Sequence, residues 1–411
     1  MNTVIYLTEQ PLDNRNYERF GVQSWIDRGW KVEVWDLTPL AYPRVWQHFA
    51  ESGQQLKEWA GYCPMESGRQ VRSKCSGQGR IAYYVDMTGD HYHSLRAKVR
   101  LARCGATRVL LDVGSMPEVG DGRPATLVAR IRKAARRSVL KSLKLLGDTV
   151  AARVAGSLVK PGLIVVSGDR SIADATRLWP DVELVRAHNL DYDLYLGLVQ
   201  TEARSRARYA LFLDQDLCGH SDFVYQGVPF AATPERYYPG IRRGLRKISE
   251  DLGLEVRVAA HPRASYRRAG SDPFGGLPIE HGRTAELIRD SQVVVCHHTT
   301  AIQLAVLFGK PIVFLTTAQL EASVAGRLIA LFAAELGKAA ISVDGDLDRV
   351  DFRRELGVDA HKYAAYRSNY IKSKGSPEKP LWDIVIDHIE KIARPAPAGS
   401  RVLPTSAIGE R

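Results

Sequence analysis

Apolar residues fall along this chain in two series of short runs, separated by longer stretches where apolar and polar positions recur at helical spacing. The first series reads "TVIYL", "KVEVWDL", "IAYYVDM", "RVLLDV" and "GLIVVSG". The second reads "YALFLDQ", "VRVAAH", "QVVVCH", "PIVFL" and "AISVD". Runs such as "QVVVCH" lack polar alternation and suit strands buried on both faces. Strands that alternate with helical patterns, such as residues 238–252 and 284–290, predict parallel sheets covered by helices on both faces. Two such series in 411 residues predict two doubly wound domains. The boundary is expected near residues 197–207, with residues 1–200 forming an N-terminal Rossmann-like domain and 201–372 a second one. A final amphipathic helix is expected within 373–395, with Pro380 near its start. The Pro-, Gly- and Ser-rich tail 396–411 is expected to be disordered.

Composition narrows the setting. The hydrophobic content of 45% supports sizeable cores. The N-terminus lacks the pattern of a signal peptide, and no apolar run approaches the roughly 20 residues that span a bilayer. Five cysteines, widely spaced and without C-x-x-C, argue against a disulfide framework or zinc knuckle and fit a reducing cytoplasm. The net charge of +11 is uneven: residues 123–160 hold ten Lys or Arg against one Asp. Leu127, Ile131, Val139 and Leu143 recur there at helical spacing. This basic helical region either rests on an anionic membrane face or packs its apolar stripe on the core as a solvated helix. Nucleic-acid recognition motifs are missing from the sequence.

The strand ends carry the chemistry. In open parallel sheets, ligands bind beyond the carboxyl ends of the strands. "VRVAAHPR" ends a strand on His261, Pro262 and Arg263; Pro262 biases His261 toward extended backbone and presents the imidazole at the tip. An imidazole there can donate to a phosphate oxygen, or simply cap the strand. "VVVCHHTTAIQLAVLFG" ends another strand on His297 and His298, with Thr299 and Thr300 at the start of a helix pattern that closes at Gly309. Hydroxyls and free N–H groups at a helix start make a phosphate cradle, although one threonine can equally be an ordinary N-cap. Between the two, Gly282, Arg283 and Thr284 precede a further helix, with Thr284 expected as its N-cap and the loop suited to a base or ribose.

Taken in this order, strand–His-Pro, Gly-containing helix start, strand–His-His-Thr-Thr–helix, residues 207–317 resemble the donor domain of GT-B glycosyltransferases that use CMP-activated sugars. The likeness is to bacterial sialyltransferase, polysialyltransferase and Kdo-transferase groups, whose His-Pro and paired Ser/Thr motifs face the CMP phosphate. It implies an α/β, GT-B-like fold of two doubly wound Rossmann-like domains facing a central cleft. It implies His261, Pro262, Arg263, Gly282, Arg283, Thr284, His298, Thr299 and Thr300 at a CMP-sugar, with no tightly bound cofactor and no metal. It also implies a carboxylate near the sugar. "LFLDQDLCGHSDF" offers Asp214 first, then His220 and Asp222; Asp216 reads as a turn residue or as half of a metal-binding Asp-x-Asp, the latter disfavoured for a monophosphate donor. The acidic-acidic-Gly motif of those enzymes is not placed in this sequence.

The resulting expectation is a cytoplasmic enzyme, peripheral at the inner membrane, that moves Kdo or a sialic-type sugar to a lipid-linked or lipopolysaccharide/capsule glycan. No nucleic-acid partner is expected. Three rivals remain: a UDP- or GDP-sugar transferase, a non-hydrolysing nucleotide-sugar epimerase, and a non-catalytic nucleotide- or glycan-binding subunit. Tyr83, Tyr84, His91, Tyr92 and His93 line an acceptor cleft or are plain core and surface residues, and the second reading is preferred.

Overall fold

A computed structural model describes residues 2–51, 55–77, 80–89, 91–118, 159–201, 208–219, 223, 229–262, 264, 266 and 272–393. The basic region 123–160, apart from its last two residues, and the tail 396–411 lie outside the described residues, as do Arg263, His220 and Asp222.

Two parallel sheets organise the chain. The first has seven strands in the order β3-β2-β1-β4-β5-β6-β7, and the second six in the order β10-β9-β8-β11-β12-β13. The first contains β1 (Thr3–Thr8), β2 (Lys31–Asp36), β3 (Tyr62–Pro64), β4 (Ile81–Met87), β5 (Thr107–Asp112), β6 (Leu163–Val166) and β7 (Glu183–Arg186). The second contains β8 (Tyr209–Leu213), β9 (Glu255–Ala259), β10 (Ile279–Glu280), β11 (Val293–Cys296), β12 (Ile312–Thr316) and β13 (Ala340–Ser342). Each sheet begins in its middle, runs outward three strands, then crosses back beside its first strand. That reversal leaves a crevice between β1 and β4 in one unit and between β8 and β11 in the other.

All ten strands read from the apolar runs are present. Central strands such as β1 and β8 are buried along their whole length, which is why they read as continuous apolar runs. The sequence reading missed β3, β7 and β10, and each is a sheet edge. Those strands are short and largely half-buried or exposed, so their composition carries little strand signal.

The units exchange helices. The Leu190–Val199 helix places Tyr192 in the core of the second sheet. The Leu381–Ala393 helix returns Leu381, Trp382, Val385, Ile386 and Ile389 to the core of the first. The two crossings are laced together: His188 and Lys372 form an antiparallel bridge, Ser373 N donates to Ser167 O at 2.8 Å, and Asn189 N donates to Ile371 O at 2.9 Å. Among the described residues no helix is long and apolar enough to cross a membrane.

Candidate functional site

At the crevice of the second sheet, β8 ends on Asp214, Gln215 and Asp216, and β11 on His297, His298, Thr299 and Thr300. Gln215 ties the two ends together. Its Oε1 accepts from the His298 N–H at 3.0 Å while its Nε2 donates to the His298 carbonyl, so a side-chain amide continues the ladder where strand pairing stops. Asp216 has a φ of +48°, a left-handed conformation that Asp tolerates better than most residues, and it turns the chain sharply below this clamp.

The neighbouring histidines divide their work. His297 is fully buried; its Nδ1 faces the Leu315 carbonyl at 2.6 Å and its Nε2 the Tyr237 hydroxyl at 2.7 Å. A carbonyl only accepts, so Nδ1 carries the proton and Nε2 receives one from the tyrosine. Burial, opposed by the Leu315 hydrogen bond, lowers His297 to about 4. His298 is also lowered to about 4 by burial and leaves Nδ1 without a partner. At neutral pH both are uncharged, so His298 offers a ligand hydrogen bonding and no cationic charge.

The threonines stand differently from the expected cradle. The helix that follows is only Ile302–Leu307, too short for much of a dipole. Thr299 Oγ1 accepts from the Ala301 N–H at 3.3 Å, while Thr300 is exposed. Thr299 is therefore the local turn cap, and Thr300 is the hydroxyl left facing solvent. Thr284 is corrected by one position: Arg283 is the N-cap and Thr284 the first residue of the Thr284–Asp290 helix. Gly282 takes φ +73°, which lets the chain turn from β10 into that helix, with Gly282 and Arg283 exposed.

His261 lies two residues beyond β9. Its carbonyl accepts from Ala264 N at 2.9 Å, making a turn with Pro262 exposed at its tip. His261, Thr299 and Thr300 thus share one edge of the sheet, but β8 runs between β9 and β11. The two strand ends stand two spacings apart, about 10 Å. Asp214 sits under that gap and is 5% exposed. Tyr266 O–H donates to its Oδ2 at 2.9 Å, Oδ1 has no partner, and burial raises the carboxyl to about 6.

The crevice of the first sheet holds a pair of which the sequence reading weighed His91 and missed Glu9. Glu9 follows β1 and His91 follows β4. Glu9 Oε1 meets His91 Nε2, and Oε2 accepts from the Gly89 N–H at 3.3 Å; the two side chains are only 11% and 14% exposed. Beneath them, Asp86 binds Lys98 at 3.0 Å and Arg108 at 2.6 Å, and Lys98 also donates to the Gly89 carbonyl at 3.2 Å. This buried network holds Gly89 in place. The signal was available, since "LTEQ" and "DMTGDHYH" are polar runs directly after apolar strands, as at His261. Tyr42 packs edge-on to His91, ring centroids 5.5 Å apart. A cavity of about 720 Å³ is lined by Trp46, Phe49, Leu56, Lys57 and Glu58. Tyr84 is a core residue, and His91 is half-buried in its pair with Glu9. Among the described residues no group of three or more His, Cys, Asp or Glu side chains is arranged to hold a metal ion.

A calicheamicin glycosyltransferase is similar at a TM-score of 0.53 and 15% identity, covering 95% of this chain and 99% of its own. The glycotransferase of kitacinnamycin is similar at 0.52 and 15%, covering 94% and 98%. The chain has the GT-B fold. A UDP-GlcNAc 2-epimerase from Methanocaldococcus jannaschii is also similar, at a TM-score of 0.46 and 11% identity, covering 95% of this chain and 100% of its own. No protein-family model and no curated protein matches the sequence. At these identities the likeness establishes the architecture, two Rossmann-like units, and leaves chemistry to the residues.

Proposed function

We propose that this chain is a glycosyltransferase that takes a nucleotide-activated sugar at the β8–β11 crevice and an acceptor hydroxyl at the β1–β4 crevice. The carrying observation is that polar side chains gather at both reversal points of a GT-B fold: Glu9 with His91 on one sheet, and Gln215, His298, Thr299 and Thr300 on the other. In this reading the acceptor lies in the cavity beside Trp46 and Phe49. Its hydroxyl oxygen bonds the anomeric carbon and gives up its proton to the Glu9–His91 pair, as the bond from that carbon to the phosphate oxygen breaks and the phosphate leaves with the electron pair. The negative charge that grows on the leaving phosphate is met by the Thr300 hydroxyl, loop N–H groups and His261, donors fixed before the reaction. Asp214, nearly enclosed, positions the loop from below and does not meet the acceptor.

The separation of His261 from the threonines by a whole strand favours a donor with two phosphoryl groups, a nucleoside diphosphate-sugar, over the CMP-sugar that the motifs alone suggest. A panel of CMP, UDP, TDP and GDP in thermal unfolding tests this. A nucleotide present at a hundred times its dissociation constant stabilises by about 2.7 kcal/mol. Stabilisation by a nucleoside diphosphate is the expected result. Stabilisation by CMP alone restores the CMP-sugar reading, and no stabilisation by any nucleotide removes the donor site. Turnover of the nucleotide-sugar without an acceptor replaces transfer by epimerisation.

A further inference from the structure

Two helices, Gly68–Gly77 and Tyr92–Arg103, pack side by side on one face of the first sheet, with Val71, Ala97 and Leu101 in the core beneath them. Neither contains an Asp or Glu. Two of their cations are committed: Lys74 lies 3.4 Å from Glu33, and Lys98 is buried against Asp86. Arg69, Arg72, Arg96 and Arg103 are exposed and Arg100 half-buried, and among the described residues none of these five is ion-paired. Burial lowers the Arg100 guanidinium first, and Arg96 and Arg72 lower it further, so these charges stand close enough to repel. At the end nearest the β1–β4 crevice, Tyr92 is 55% exposed, with the Arg96 guanidinium 5.3 Å from its ring centre and 2.7 Å from its hydroxyl.

Like charges gathered without acids are relieved by an anionic surface. An exposed tyrosine among arginines is the composition that sits at headgroup level in a bilayer. Nucleic acids favour a series of stacking rings along a groove, and one tyrosine on a convex helix pair is a poor match. We infer that this helix pair docks the protein on an anionic phospholipid membrane through Arg69, Arg72, Arg96, Arg100 and Tyr92. Tyr92 directly follows His91, so docking carries the Glu9–His91 edge to the bilayer, where a lipid-borne acceptor would meet it. The surface stands apart from the glycosyl-transfer reading, because binding is measured without donor or turnover.

The test is co-sedimentation of the full chain with phosphatidylcholine vesicles, with and without phosphatidylglycerol. Binding is expected only with the anionic lipid and weakens with salt. Each arginine near such a surface contributes about fivefold, so Arg72→Glu/Arg96→Glu lowers affinity by about 30-fold or more. Arg349→Glu/Arg354→Glu alters net charge equally on the second unit and should bind as wild type. Arg72→Gln/Arg96→Gln, with milder loss, serves where the reversal variant melts abnormally. The inference is overturned if a normally melting patch variant binds like wild type, or if both reversals weaken binding alike. It is equally overturned if the wild type ignores anionic vesicles or binds only duplex DNA.

Discussion

Replacing Asp214 by Asn should stabilise the fold by an amount that grows with pH. The carboxyl is 5% exposed, accepts a hydrogen bond from Tyr266, and is raised by burial from 3.8 to about 6. Between about pH 4 and 6 the folded chain keeps this proton while the unfolded chain has lost it, so stability falls as pH rises through that window. A rise of about two units at about 1.4 kcal/mol each amounts to about 3 kcal/mol, fully lost above pH 6. Asn is close in shape, carries no charge, and still accepts from Tyr266. His297 and His298 act in the opposite direction: burial lowers both to about 4, so their contribution is present above 6.5 and disappears as pH falls toward 4. Both proteins contain them, and they cancel in the difference. Urea unfolding of wild type and Asp214→Asn across this range should show a gap near zero at about pH 4 and about 3 kcal/mol in favour of Asn above about pH 6.5. A gap that does not change with pH, or an Asn variant less stable at high pH, refutes the reasoning, because the charge would then be paired or hydrated in the folded chain.

Gln215→Ala leaves the His298 N–H and carbonyl unpaired and should cost about 1–3 kcal/mol in urea unfolding, with weaker nucleotide binding by calorimetry. Glu9→Gln should lower turnover by about 10²–10⁴ while leaving donor affinity intact, which separates a role in proton transfer from one in donor binding. Gly21→Ala should destabilise by about 2–5 kcal/mol, since Gly21 has φ +56° and an added Cβ would stand 2.2 Å from the Trp382 ring. A normal melting temperature for that variant would mean that the C-terminal helix is not seated on the first unit.

What the sequence revealed follows from burial. β8, β9, β11 and β12 are read from apolar runs because both faces are covered, whereas β3, β7 and β10 sit at edges where composition is mixed. The strand-end residues of the second unit were legible because polar residues interrupt apolar runs abruptly, as at His261 and His298. Their roles were less legible. Thr299 caps its own turn through a contact that spacing alone cannot distinguish from a phosphate cradle, and the enclosure of Asp214 depends on Tyr266, fifty-two positions away. The Glu9–His91 pair joins residues eighty-two positions apart, brought together only by the crossing that sets β4 beside β1.

That same crossing links the fold to the proposed chemistry. A reversal of strand order opens a crevice because the connections on either side of it lead away in opposite directions, and this chain makes the reversal twice. The proposed transfer needs two such crevices, one for the activated sugar and one for the hydroxyl, and it needs them to share a frame. The exchange of helices supplies that frame. The Leu190–Val199 helix belongs to the second core through Tyr192, yet its Asp191 meets Arg19 of the first unit at 3.3 Å. The Leu381–Ala393 helix belongs to the first core, yet its leading N–H is held at 2.9 Å by Asp193. Neither unit can be detached without uncovering apolar surface of the other, so changes at the crossing, such as a side chain at Gly168 driven 2.2 Å from Asn369 O, should disturb transfer before they disturb nucleotide binding.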